Sequence, residues 1–195
     1  MATTWVNSED KLTLDVIKSA VAKDKGLDKS QVDIVTHETG RGAPIGDNFA
    51  TDTILVIVKA RLDGKTEEDL DYFVKLTPVD KIRIDMMGQV IRRSFISHST
   101  ITANTNFKTT FQNIYKREHL FYRTLAQDLQ AIRVKANLPP LVIPKLYFED
   151  EAIGVIVLEN MKKRGYQTPM KSARGITHTV NWYYFEQAIK VNVLS

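Results

Sequence analysis

No cysteine occurs in the chain, which excludes disulfides and thiolate metal sites and leaves the redox compartment open. Nor does any apolar run approach the roughly 20 residues that a membrane-spanning helix needs. The first residues, MATTWVNSEDKLTL, lack the basic start and apolar core of a secretory signal. A cytoplasmic protein with no membrane partner is therefore expected. An excess of one charge is also missing: 27 Lys and Arg face 23 Asp and Glu, a net charge of +4. These charges are dispersed apart from KKRGYQTPMKSAR near the end, and no aromatic-basic module accompanies that patch, so nucleic acid is not an expected partner. The modest positive balance suits an anionic ligand such as a nucleotide. What is present is an ordinary globular composition, 43% hydrophobic and 26% charged over 195 residues. That is enough for one compact domain or two small lobes.

Residues 8 to 24 have helical periodicity. Asn7 or Ser8 is placed to cap the helix, Leu12, Val16, Ile17 and Ala20 form its apolar stripe, and Gly26 is a stop. SQVDIVTHETG alternates as a strand with Val32 and Ile34 on one side. TILVIVKARL predicts a second strand, and Asp63-Gly64 a turn. The acidic stretch KTEEDLD reads as a loop leading to a short third strand, YFVKLTP. From Phe107, the residues Phe107, Phe111, Ile114, Phe121, Tyr122, Leu125, Leu129 and Ile132 predict a long helix, ended by Leu138-Pro139-Pro140. VIPKLYFED and GVIVLEN predict two more strands around an acidic turn with Gly154. No repeat, low-complexity tract or linker is evident. The fold class expected is α+β, a five-stranded antiparallel sheet with one helix at the N-terminus and a long one later.

Three features stand out against that frame. Glu118 projects from the apolar face of the long helix, where an ionised carboxylate needs a partner unless it lies at a wet edge. Lys75 interrupts a short apolar strand, with Tyr72, Val74 and Leu76 on one face and Phe73, Lys75 and Thr77 on the other. It is either a surface lysine with its stem laid along its neighbours, or the partner of Glu118. A paired lysine is a fixed positive point suited to phosphate oxygens. Gly40, Gly42 and Gly46 lie in a turn between two strands, which either brings backbone amides to an anion or simply makes a hairpin. Their spacing departs by one residue from the G-x-G-x-x-G of protein kinases. The order of glycine loop, strand, strand with lysine and helix with glutamate is that of a kinase nucleotide-binding lobe.

GDNFAT (46 to 51), FVKLTP (73 to 78), KREHLFYRTL (116 to 125) and VLENMKKRGYQT (157 to 168) resemble the CHK kinase-like family. This family is also called ecdysteroid kinase-like and is related to choline and aminoglycoside kinases. The resemblance implies a protein-kinase-like N-terminal lobe over residues 1–175, with an insertion at about 84–106. It places Gly42, Gly46, Asp47 and Asn48 in a phosphate-covering loop, Lys75 on the α/β-phosphates and Glu118 as its helix partner. LENM becomes the hinge, where backbone groups of Glu159 and Met161 hold the adenine edge. The implied cofactor is ATP with magnesium, and the implied reaction is phosphorylation of a small hydroxylated molecule, ecdysteroids among them.

The departure from the family comes after the hinge. Phosphoryl transfer in this fold needs one aspartate to orient the hydroxyl and another to hold magnesium. No aspartate follows Asp150, and beyond Glu151 the acidic residues are Glu159 and Glu186. Residues 176–195 read as a divergent tail, in which His178 is incidental and Trp182, Tyr183, Tyr184 and Phe185 form an aromatic cluster. No catalytic residue and no metal ligand is assigned. The expectation is a truncated ATP-binding lobe without its catalytic lobe, inactive alone, and accepting a small hydroxylated substrate only when that lobe is supplied. The alternatives are a non-catalytic regulator that binds nucleotide or a partner, and a basic module using Lys162, Lys163, Arg164, Lys171 and Arg174 on an acidic partner.

Overall fold

The computed structural model describes residues 8–42, 51–78 and 107–166, with side chains in the helix after Phe107 described from Asn113. It divides into two compact units, Met1–Asn160 and Met161–Ser195. The expectations for Asn7, Gly46, Asp47, Asn48, the 84–106 insertion, Lys171, Arg174 and the tail at 176–195 fall outside the described residues.

The first unit starts with a 3-10 turn, Ser8–Lys11, and then helix α1, Leu14–Lys25. The expected single helix from residue 8 is thus corrected to two pieces. Thr13 caps α1 from an extended conformation, its hydroxyl accepting from the Val16 N–H at 3.3 Å. Ser8 is no cap. Its hydroxyl donates to Asp52 Oδ2 at 2.5 Å, and Lys11 Nζ donates to the Thr77 carbonyl at 2.8 Å. These two bonds draw the 3-10 turn onto the ends of the strands that follow, and Leu12 and Thr13 make the bend. Burial pushes the Lys11 pKa down against the pull of Asp52. The stop is where expected: Gly26 takes φ +66 and its N–H returns to the Ala22 carbonyl. Val16, Ile17, Ala20, Val21 and Ala22 are buried against the sheet, each large aliphatic chain stabilising by about 1.5–3 kcal/mol.

The sheet is antiparallel throughout, in the order β1-β2-β3-β5-β4. β1 is Val32–Arg41, β2 Asp52–Leu62 and β3 Thr66–Leu76. A bulge at Val35 breaks the β1–β2 register between Ile34 and Thr36. Asp63 and Gly64 both have positive φ, and the Lys65 N–H closes their turn on the Leu62 carbonyl at 3.0 Å. Both central residues of such a turn need the left-handed region, which Asp and Gly tolerate. The acidic stretch predicted as a loop is part of β3. The cause is charge: Glu67 lies opposite Arg61 and accepts from it at 2.6 Å, and Glu68 takes Lys25 of α1 at 2.5 Å. Opposite charges across a strand pair favour extension over looping.

A helical rod follows in three parts: α2, Phe107–Leu120; a π-helical turn, Phe121–Leu125; and α3, Ala126–Lys135. Its end is a Schellman motif. Asn137 takes φ +54, its N–H donates to the Val134 carbonyl at 3.1 Å, and the Leu138 N–H donates to the Arg133 carbonyl at 2.9 Å. The predicted apolar stripe is buried only in part: Phe121 and Tyr122 are half-buried, and the side chains of Phe107 and Phe111 lie outside the described residues. Ile114, Leu125, Leu129 and Ile132 are exposed, Ile132 by 60%, whereas Tyr115, His119 and Ala126 are buried. An extra residue per turn in the π segment re-phases the rod there. β4 is Leu146–Asp150 and β5 Val155–Glu159. β4 is shorter than VIPKLYFED predicted, because Pro144 has no N–H for a ladder. Gly154, with φ +69, sits where an added Cβ would lie 2.2 Å from Thr77 Oγ1.

Candidate functional site

β3 has two faces, and they differ as its alternation requires. Tyr72, Val74 and Leu76 join the core under α1. Lys75 points the other way. Its cross-strand partners are Thr53 on β2 and Ile156 on β5, and Ile156 is in turn opposite Glu149 on β4. Directly opposed residues share a face, so Thr53, Lys75, Ile156 and Glu149 form one row across the sheet. α2 lies on this row.

The decisive contact is between Lys75 Nζ and Glu118 Oε1, which are hydrogen-bonded and ion-paired. Their side chains are 22% and 21% exposed. Of the readings open from sequence, the wet-edge glutamate and the surface lysine are therefore set aside for the pair. The carboxylate fixes the direction of the long lysine side chain. An ammonium held in this way keeps donors for a second anion, since it has three and no acceptor. Burial, and then the nearby Glu118 charge, pushes the Tyr122 pKa up, so this neighbour one turn along stays a neutral phenol.

Sequence reasoning missed the next contacts. His119 is 1% exposed, and its Nδ1 lies 2.6 Å from Glu149 Oε2. Arg123 Nη1 reaches the other oxygen of Glu149 at 3.3 Å. A histidine between Glu118 and Leu120 has no apolar signature, so periodicity gave no signal for its burial.

Of the three glycines expected in the turn, Gly40 instead lies within β1 opposite Leu55, and Gly42, just past the strand, is buried. Its N–H donates to the Thr53 carbonyl at 3.0 Å. A Cβ there would sit 2.8 Å from Phe73 Cε2 and 2.9 Å from the Thr53 carbonyl carbon. Close approach of β2 and the Phe73 ring therefore demands glycine at this position. Glu159 ends β5. Its N–H donates to the Lys145 carbonyl at 2.9 Å, and its carboxylate accepts from the Lys145 N–H at 3.2 Å. Next to it Asn160 Nδ2 donates to Asp71 Oδ2 at 2.5 Å. Tyr72 donates to Asp24 at 3.0 Å, edge-on to Tyr147, and burial beside Asp24 pushes both phenol pKa values up.

Met161 belongs to the second unit, where it opens a 3-10 turn, Met161–Arg164. The Tyr166 N–H returns to its carbonyl at 3.2 Å, and the Arg164 guanidinium lies 5.6 Å from the Tyr166 ring centroid. Among the described residues no three His, Asp or Glu side chains converge as metal ligands, and no helix is long and apolar enough to cross a membrane.

No curated protein and no solved structure matches the chain significantly. A model of the ecdysteroid kinase-like family matches residues 81–180, which takes in Glu118, Glu159 and Met161 and leaves out Lys75 and the glycine turn. With just over half its length matched, and an α+β sheet-and-helix lobe of the kinase type around a Lys75–Glu118 pair, the chain belongs to the ecdysteroid kinase-like family.

Proposed function

We propose that this chain supplies the ATP-binding lobe of a small-molecule kinase. Lys75, aimed by Glu118, grips the α/β-phosphates. The observation that carries the reading is this pair. A half-buried ammonium on the sheet face opposite α1, tied to one carboxylate, is a preorganised phosphate donor. Gly42, Gly46, Asp47 and Asn48 are proposed as the cover of the phosphates. Backbone groups of Glu159 and Met161 are proposed for the adenine edge, with the Glu159 N–H already committed to Lys145. The parent reaction is transfer of the ATP γ-phosphate to a hydroxyl of a small molecule.

Transfer also needs carboxylates for the hydroxyl and for magnesium. Glu118 is committed to Lys75 and Glu149 to His119 and Arg123. No aspartate follows Asp150. The described residues thus fit a nucleotide phosphate and not its metal, and no step is assigned to magnesium here. Nucleotide binding is the step proposed for these residues.

Calorimetric titration with Mg-ADP and Mg-ATP, on the chain and on Lys75→Ala, tests the proposal. A charge-assisted hydrogen bond contributes about 1.5–3 kcal/mol, so the variant is expected to bind roughly 10- to 100-fold more weakly. Equal affinities for chain and variant, or no heat from the folded chain, would count against it.

A further inference from the structure

We propose that His119 and Glu149 are positioning residues for the Lys75–Glu118 pair: together they clamp α2 to β4 and so aim Glu118 at Lys75. The proposal rests on the reading of that pair as a phosphate grip, and its test is read without nucleotide. The geometry begins with the row Lys75, Ile156 and Glu149 on three neighbouring strands. At about 4.8 Å per strand, the two ends of the row are separated by about 10 Å, close to the width of a helix. α2 places two consecutive residues on those ends, Glu118 on Lys75 and His119 on Glu149. Consecutive helical residues point about 100° apart, so a helix lying over Ile156, itself 2% exposed, reaches both ends at once.

One attachment at Glu118 would leave α2 able to roll about its axis and to slide. The second fixes both motions. His119 suits the task because it is buried and short, and its ring Nδ1–H donates to Glu149 Oε2 at 2.6 Å. Glu149 is itself held, since Arg123 takes its other oxygen at 3.3 Å from the next turn. Removing either partner strands a buried polar group, a change that a helix relieves by rotating outward. Glu118 moves with it.

The test follows the Lys75 ammonium by NMR in protein labelled with 15N-lysine, its resonance being the one lost in Lys75→Arg. Pairing with Glu118 slows proton exchange with water, so the wild-type chain is expected to show a protected signal. His119→Phe keeps the ring and its burial but cannot donate. Glu149→Met keeps the length but cannot accept, and it reads the same contact if His119→Phe fails to fold. Both are expected to lose the signal while retaining their far-UV circular dichroism. His119→Asn, whose amide N–H lies near the place of Nδ1, is expected to restore it. Such a rescue marks the hydrogen bond and not mere packing. A signal that persists in folded His119→Phe or Glu149→Met overturns the proposal, as does a wild-type chain without one. A protected signal that responds to these variants in a chain that binds no nucleotide leaves the clamp standing and removes the phosphate reading alone.

Discussion

Replacing Lys75 by methionine keeps an unbranched side chain as far as Cε and removes its charged end, leaving Glu118 as a half-buried carboxylate without its ammonium. Exposed ion pairs contribute about 0–1 kcal/mol, and breaking a fully buried one costs about 3–5 kcal/mol. At 22% and 21% exposure the Lys75–Glu118 pair lies between, and about 2 kcal/mol is the expected loss. A unit of this size shifts its melting temperature by about 2–4 °C per kcal/mol, so Lys75→Met should melt about 4–8 °C lower by far-UV circular dichroism. The double variant Lys75→Met/Glu118→Leu strands no charge and should recover most of that loss, because the penalty belongs to the orphaned carboxylate. High salt should change the wild-type value little, since a half-buried pair is poorly screened. A melting temperature unchanged within about 1 °C in Lys75→Met, or a double variant less stable than either single one, would refute the reasoning.

The other expectations concern backbone and burial. Gly42→Ala places a methyl group against β2 backbone and the Phe73 ring, and should destabilise by about 1–3 kcal/mol in urea unfolding. Phe73→Leu should not rescue it, because the Thr53 and Ile54 backbone contacts remain. Asn137→Gly should raise the urea midpoint slightly and Asn137→Ala lower it, since φ +54 closes the Schellman motif. The Tyr72 and Tyr147 phenols, pushed up by burial beside Asp24, should escape spectrophotometric titration in the folded chain. The unfolded phenol ionises near pH ~10. The stability these groups contribute is therefore full below that pH and declines as pH rises above it, and Tyr72→Phe should flatten the decline.

How much of this was legible from sequence depends on whether the signal was local. Gly26, Asp63-Gly64 and the β3 alternation are set by φ angles and by a two-residue period, and all three lie where the sequence placed them. Lys75 and Glu118 were visible as charges in apolar company. The start of α1 was misplaced, because Ser8 and Thr13 are equally good caps in isolation and a tertiary bond to Asp52 selects between them. The acidic run became strand through partners on β2 and α1. The rod shows the limit most clearly. Its apolar residues predict one face, while the buried face carries Tyr115 and His119, and His119 is tolerated only because Glu149 and Arg123 complete it. No one-dimensional pattern carries that.

The most direct test of the central claim is acylation by an acyl-phosphate analogue of ATP, which transfers its acyl group to a lysine lying against the nucleotide phosphates. Mass spectrometry of the digested chain should find Lys75 modified, protected by ADP, and no longer modified when Glu118→Leu frees the ammonium from its fixed direction. Modification spread over Lys59, Lys116 and other surface lysines, with Lys75 spared or unprotected by ADP, would contradict it.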